Sequence, residues 1–521
     1  CYGQAQELKP AFAEAHYNLG LVLQAQGKLE AAVAEYRQAL ALKPAYAEAE
    51  NQLMHQSQHL CEWSGLDELF DRQRRLIHAK PFAKIPPFTL LSIPSSAAEQ
   101  LECARNLVAN HLAPFVKMRE GLGFHFTGAS KTRLRLGYLS ADFHQHATAY
   151  LIAELFELHD RARFEVLAYS YGPDDGGAMR KRLVSACDRF VDIRSLPFDR
   201  AAQLIYEDGI DIFIDLKGYT TGARTEIAAL RPAPIQVNYL GYPGTMGAEF
   251  IDYIITDRFI SPPDQEPHFS EKFVYLPDCY QINDRKRKIV RHTPTRKECG
   301  LPAKGFVFCC LNNTYKITAD IFDVWMRLLK KVPGSVLWLL EANSGAVANL
   351  HREAKARGVN SDRLVFAPRV PPDKHLVRLR AADLFLDTLP VNAHTTASDA
   401  LWVGLPVLTC IGETFISRVA GSLLTAIGLP ELITRSLAEY EAAALRLAKN
   451  PRELAGLRER VAKNRLSTPL FDSKRYTGHI ECAYRMMWEI CQSGEAPKQI
   501  EVPALSSQKK GSAKRRTTRK A

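Results

Sequence analysis

Three segments, each directly behind an apolar run, hold the side chains best suited to chemistry. In "SADFHQHATAY" these are Asp142, His144, His146 and Thr148. A histidine there can act as general base or polarise a hydroxyl, because its pKa lies near neutrality. The same residues equally suit a helix start or a solvated surface. His144 and His146 have metal-like spacing, but no nearby Cys or third His completes a set, so no metal is expected. Lys316 follows "FVFCCLNN", where a cation at the mouth of a buried strand would meet a phosphate. A lone lysine is more often solvated surface.

The third segment is "NAHTTASDALWVGLP", Asn392 to Pro406. A helix beginning near Thr395 or Thr396 leaves its first N–H groups without internal partners, and its dipole favours negative charge there. Threonine hydroxyls add donors, so the end suits a phosphate. Alternatively, one threonine only caps the helix and Asp399 completes an imperfect capping box, with Asp in place of Glu or Gln. Both readings can hold together, and Asp399, one turn in, could accept from a pair of sugar hydroxyls. A fourth segment, "IQVNYLGYPGT", supplies Gly241 and Pro243, where glycine permits close backbone approach and tight turns. No GxGxxG follows a strand, and neither a Walker-type loop nor a D-x-D is present. Any diphosphate must then be neutralised by Lys316, the helix end and neighbouring polar groups.

Elements that could position these residues alternate along the chain. Apolar runs at 133–140, 164–171, 211–219 and 251–257 form one strand series; those at 306–313, 335–342, 363–368, 383–388 and 406–410 form a second. Strands alternating with amphipathic segments mean parallel sheets covered on both faces. The basic, Pro-containing stretch 283–302 separates two such α/β lobes. Open parallel sheets bind ligands beyond the carboxyl ends of their strands, which places the site in the cleft between lobes.

The N-terminal part repeats. "PAFAEAHYNLG" at Pro10 and "PAYAEAENQLM" at Pro44 lie thirty-four residues apart, and "YGQAQELKP" (Tyr2–Pro10) matches "YRQALALKP" (Tyr36–Pro44). This period, with Tyr17, Gly20, Ala31, Tyr36 and Pro44, resembles the tetratricopeptide repeat, a helix–turn–helix unit that buries its faces by stacking. The chain opens on a closing repeat helix, so residues upstream are expected. Such an array either extends the fold or offers a concave surface to a protein partner. The expected domains are repeats at 1–60, a helical linker at 61–131, lobes at 132–290 and 291–490, and a disordered basic tail at 491–521.

A chain of 521 residues allows about three or four domains, and 46% apolar with 24% charged residues is a globular composition. No apolar run approaches the roughly 18 residues of a membrane span, and no signal-peptide pattern opens the chain. Eleven scattered cysteines without paired CxxC spacing fit a reducing cytoplasm. Of the net charge of +11, seven basic residues sit in the acid-free tail Ser506–Ala521. The remaining charge is ordinary, so neither nucleic acid nor membrane is expected as a partner.

Together, "RLGYLSADFHQH", "ALRPAPIQVNYLGYPGT", "DYIITD", "SVLWLLEA" and "NAHTTASDALWVGLP" resemble the O-linked N-acetylglucosamine transferases in a bacterial-type form, from about Arg133 to Glu489. The resemblance implies a GT-B fold of two Rossmann-like lobes behind an all-α repeat segment. It implies UDP-N-acetylglucosamine as donor, with no cofactor or metal. Transfer would be inverting, onto a Ser or Thr hydroxyl of a protein or peptide contacted by the repeats. By family pattern His146 lies at the active centre and is considered as general base. Asp142 is a second acid–base or relay candidate, and Lys316 stabilises the leaving diphosphate. His394, Thr395 and Thr396 would cradle the phosphates and Asp399 the ribose. Val370, His375 and Arg378, in "APRVPPDKHLVRL", would hold the uridine. Asn313 falls at a polar donor contact usually filled by Gln, and Thr148, Gly241 and Pro243 join the donor-binding set. The departures are Pro372 at the family's lysine, Tyr150 where animal enzymes have histidine, and only the short basic stretch 283–302 where they carry a long insertion. Two other readings fit: the same fold with another UDP-sugar or a non-protein acceptor, or a repeat scaffold with weak transferase activity.

Overall fold

The computed structural model describes residues 12–79, 85–126, 131–290 and 292–505. The repeat segment Tyr2–Pro10 and the basic tail from Ser506 lie outside the described residues. Helices Ala13–Ala25 and Leu29–Leu42 pack on each other, and Ala47–His59 packs on the second of them. The contact depends on the repeat's small–large pair: a Cβ on Gly20 would sit 2.4 Å from the Tyr36 ring. Tyr36 is fully buried, and its hydroxyl donates to Gln24 Oε1 at 2.8 Å. Helices Leu66–Ile77, Pro87–Leu91, Ala97–Leu107 and Ala113–Leu122 follow, with a π-helical turn at Val108–Leu112 between the last two.

The first lobe is a parallel sheet of β1 (Leu134–Ser140), β2 (Phe164–Ser170), β3 (Arg189–Asp192), β4 (Ile212–Asp215), β5 (Ile235–Asn238), β6 (Tyr253–Asp257) and β7 (Lys272–Leu276). The second contains β8 (Val307–Cys310), β9 (Val336–Leu340), β10 (Leu364–Ala367), β11 (Leu384–Leu386), β12 (Val407–Cys410) and β13 (Ile433–Thr434), again all parallel. Helices cover both faces of the first sheet, so strands such as β4 are buried at every position. That is why these strands read as continuous apolar runs rather than alternating ones. The orders β3-β2-β1-β4-β5-β6-β7 and β10-β9-β8-β11-β12-β13 both reverse direction at their first strand. Each lobe therefore has a switch point, between β1 and β4 and between β8 and β11, where outgoing loops diverge and leave a crevice. This is the two-lobed GT-B architecture behind helical repeats.

Two expected boundaries change. Helix Ser473–Gln492 falls in the stretch expected to form the second lobe, yet its apolar side (Tyr476, Ile480, Tyr484, Met487, Trp488) completes the first lobe's core. Tyr476 Oη donates to the Tyr280 carbonyl at 2.6 Å, and Glu481 Oε1 lies 3.0 Å from buried His159 Nδ1. The stretch from 491, expected to be disordered, contains β14 (Ile500–Glu501), which extends the first sheet by pairing with Val274 and Tyr275. The open edge of β7 offers unpaired backbone groups, and β14 satisfies them.

Glycine matters most at the loop behind β5. A Cβ on Gly241 would fall 1.9 Å from the Leu216 carbonyl oxygen, so the loops behind β4 and β5 touch backbone to backbone. Gly241→Ala is expected to lower the unfolding free energy by at least about 1–3 kcal/mol through overpacking. Gly456, exposed inside helix Pro451–Asn464 with nothing within 4 Å of its Cβ position, should gain roughly 0.5–1 kcal/mol as alanine. Denaturant unfolding of both variants checks the opposite signs; equal midpoints would contradict this account of the Gly241 contact.

Candidate active site

Both switch points open onto one cavity of about 400 Å³. Asp142, His146, Thr148, Lys217, Gly241 and Pro243 line it from the first lobe, and Asn312, Asn313, Lys316, His394, Thr395 and Thr396 from the second. The three chemistry-bearing segments of the sequence thus meet.

On the first-lobe side, His146 is the N-cap of helix Ala147–Leu158, with an extended backbone. Its Nδ1 accepts from the Thr148 N–H at 3.2 Å. A backbone N–H can only donate, so the neutral ring carries its hydrogen on Nε2 and presents a donor to the cavity. A base role at Nε2 requires that hydrogen to sit on Nδ1 instead. Asp142 Oδ2, 3.5 Å from Nδ1, is the group that would then accept it. Burial lowers the His146 pKa, Asp142 opposes that shift, and Lys217 and His144 reinforce it. Asp142 itself is committed elsewhere: the Lys217 ammonium donates to its two oxygens at 2.8 and 3.0 Å. Both side chains are almost fully buried. Lys217 is absent from the motifs singled out above, although its signal is the one that marks Lys316: a lysine just past a buried strand, here in "DIFIDLKGY".

On the second-lobe side, the chain leaving β11 wraps around Asp387. Oδ1 of that buried carboxylate accepts from the N–H groups of Thr388 (2.7 Å) and Ala393 (2.6 Å), and Oδ2 from Thr409 Oγ1 (2.7 Å). Asn392 Nδ2 closes the turn on the Thr388 carbonyl at 2.8 Å. Helix Thr395–Val403 starts immediately afterwards, with His394 as N-cap and no side-chain cap bond. The capping alternative is thereby overturned. Thr396 Oγ1 is bonded to Asn312 Oδ1, and Asp399 to Arg287 Nη2 at 2.5 Å rather than back to the helix start. The first N–H groups of the helix stay available to an anion. Lys316 Nζ stands beside them, donating to the Asn392 carbonyl at 2.8 Å. Burial pushes the Lys316 pKa down to about 8 against the pull of Asp387. Burial and then Lys316 push His394 down to about 3, so it is neutral.

A second cavity of about 800 Å³ shares Thr395 and Thr396 with the first and is lined by Val370, His375, Asp399, Tyr150 and Arg287. Arg378 does not reach it. Its guanidinium is buried behind His375, bonded to His375 Nδ1 at 3.0 Å and the Pro368 carbonyl at 2.5 Å, so it orients that ring. Among the described residues no three His, Cys, Asp or Glu side chains cluster as a metal set.

The model of Glycosyl transferase family 41 matches residues 115–296 and 286–480, and the tetratricopeptide repeat model matches 13–46. A protein of Arabidopsis thaliana named probable UDP-N-acetylglucosamine–peptide N-acetylglucosaminyltransferase SEC is 38% identical over 86% of this chain and 48% of its own length. The UDP-N-acetylglucosamine–peptide N-acetylglucosaminyltransferase of Caenorhabditis elegans is 31% identical over 84% of this chain and 48% of its own. The chain thus spans about half the length of the curated relatives it matches. A solved mutant of the Thermobaculum terrenum O-GlcNAc transferase superposes with a TM-score of 0.80 at 28% identity, covering 95% of this chain and 94% of that one.

The Asp142–Lys217 pair makes a prediction of its own. Lys217→Met strands a buried carboxylate and should cost about 3–5 kcal/mol, whereas Lys217→Met with Asp142→Leu should recover most of that. Unfolding free energies of the two variants test this; a single variant as stable as the double one would contradict the buried pair.

Proposed function

The chain belongs to glycosyl transferase family 41, and from that premise we propose that it transfers N-acetylglucosamine from UDP-N-acetylglucosamine to Ser or Thr hydroxyls of proteins, with inversion and without metal. One observation carries most of this reading: an uncapped helix start and Lys316 face the same cavity at the switch point of the second lobe. That arrangement suits a diphosphate, and the adjoining larger cavity suits its nucleoside, with His375 flat-sided for stacking and Asp399 for the ribose diol. The relatives' names supply the sugar and the peptide acceptor. A reducing cytoplasm is the proposed setting, where buried thiols such as Cys309 and Cys310 stay unpaired.

In this reading the acceptor oxygen attacks the sugar's anomeric carbon from the first-lobe side while the bond to the β-phosphate oxygen breaks on the opposite face, which inverts the centre. Negative charge grows on the departing diphosphate. Lys316 and the N–H groups of the helix start are already aimed there, so little reorganisation is needed as the charge develops. The hydroxyl proton leaves toward the Asp142–His146 side, where His146 can accept it only after its ring hydrogen passes to Nδ1. Lys217 holds Asp142 in place beside that nitrogen. The repeats present the protein acceptor.

Incubation with UDP-N-acetylglucosamine, a Ser/Thr peptide and EDTA should release UDP and add one N-acetylhexosamine to the peptide. Turnover only with another UDP-sugar would overturn the donor assignment. UDP binding without any turnover would favour a scaffold. Lys316→Ala should cut kcat by about 10²–10³-fold, a far larger effect than its loss of thermal stability. Because Lys316 must carry its proton to meet the diphosphate, kcat/KM should fall as pH rises through about 8. Lys316→Arg, charged throughout, should lose that alkaline limb; a limb that persists would assign it to another group.

A further inference from the structure

The Arg287–Asp399 contact joins the Asn392–Pro406 segment to a residue outside every motif. Arg287 comes from the crossover between the lobes, in "NDRKRKIV", and its Nη2 lies 2.5 Å from Asp399 Oδ1. Both side chains are nearly buried, and both line the larger cavity. The crossover is also tied to the helix that carries Asp399: Trp402 Nε1 donates to the Arg287 carbonyl at 3.2 Å. Backbone and side chain of Arg287 therefore both reach helix Thr395–Val403, the first at its far end and the second toward the anion end. His375 Nε2 stands off at 3.9 Å from Asp399 Oδ2, and burial, which outweighs the pull of Asp399, lowers the His375 pKa. Arg287 is thus the cation that compensates Asp399.

Two consequences follow from elementary chemistry. A lone carboxylate in this cavity would repel an incoming diphosphate, whereas a carboxylate paired with a guanidinium presents no net charge. A carboxylate also offers about four acceptor positions and a guanidinium five donors in a fixed plane. The single Arg287–Asp399 hydrogen bond leaves the other positions of both groups without a hydrogen bond among the described residues. Two neighbouring hydroxyls can each donate to Asp399 while one accepts from Arg287, which satisfies a vicinal diol on both its donor and acceptor sides.

Resting on the reading that this cavity takes the nucleoside of the donor, we infer that Arg287 and Asp399 act together as a diol clamp. The pair, rather than the carboxylate alone, distinguishes a ribonucleotide from its 2′-deoxy counterpart. A site built to hydrogen-bond a hydroxyl rejects the analogue lacking it, because its polar groups are then left unpaired. The interlobe crossover becomes part of the nucleotide site.

Calorimetric titration of the full chain with UDP and with 2′-deoxy-UDP tests this. The unmodified protein should prefer UDP by about 10- to 100-fold, the worth of one or two hydrogen bonds to charged groups. Arg287→Ala should lose most of that preference, mainly through weaker UDP binding. Arg287→Lys keeps the charge without the fork and should retain affinity better than discrimination. If Arg287→Ala fails to fold, Arg287→Lys and the paired Arg287→Ala/Asp399→Asn variant carry the same comparison. Unchanged discrimination in these variants, or tighter UDP binding in Arg287→Ala, overturns the clamp. Failure of the unmodified protein to bind UDP at all overturns the nucleotide reading beneath it, which separates the two outcomes.

Discussion

One buried carboxylate, Asp387, organises the second-lobe wall of the cavity. It directly follows β11, and burial pushes its pKa up to about 6, so ionisation there is costly. The N–H groups of Thr388 and Ala393, the Thr409 hydroxyl and the nearby Lys316 charge offset that cost. Satisfying one carboxylate thus curls the chain between Thr388 and Ala393 and delivers it to the start of helix Thr395–Val403. The open helix end and the lysine beside it are by-products of that turn.

The first lobe uses the same device with a different outcome. Asp215 ends β4, the strand equivalent to β11 in its own sheet, and burial pushes its pKa up to about 6 as well. It accepts from the N–H groups of Lys217 and Gly218 at 2.8 and 3.1 Å, which turns that loop too. Each lobe then brings a lysine to its switch point. In the first lobe the lysine is consumed by Asp142 in a two-pronged ion pair. In the second, the one hydrogen bond of the Lys316 ammonium among the described residues is to a backbone carbonyl. Two sheets of one topology therefore present opposite chemistry across a single cavity, neutralised on one wall and cationic on the other. This asymmetry is what favours the second lobe for the diphosphate in the proposed function.

Much of this was readable before the fold because it is local. A buried parallel strand is a short apolar run with polar residues behind it, and the switch-point rule then says where those residues gather. His146, Lys316 and the Asn392–Pro406 segment all follow that logic, as does Lys217 behind its own apolar run. Pairings over long sequence distances were not readable. The tie from Arg287 to Asp399 spans more than a hundred residues, and no periodicity encodes it. The family resemblance of "APRVPPDKHLVRL" implies Arg378 at the nucleotide, but a matching stretch cannot say which side of its helix faces a cavity and which a neighbouring carbonyl. Helix Ser473–Gln492 has the amphipathic pattern of any covering helix. Which of two similar sheets it covers is set by fit against Tyr138, His159 and Tyr280, a property of the assembled surface.

The repeats are joined to this site more directly than an appended domain would be. The last repeat helix ends at His59, whose carbonyl accepts from Thr314 Oγ1 at 2.7 Å and Asn343 Nδ2 at 3.0 Å. Trp63 Nε1 donates to the Ile317 carbonyl at 3.1 Å, and the rings of His55 and His59 pack on Tyr315. Thr314, Tyr315 and Ile317 are the immediate neighbours of Lys316. A lysine with a single carbonyl partner is not held by its own hydrogen bonds; its backbone must be fixed from outside. Here the end of the repeat array fixes it from one side and the loop wound around Asp387 meets its ammonium from the other. The helical segment is thus structural at this cavity whatever it binds along its length, and Lys316 depends on it for position.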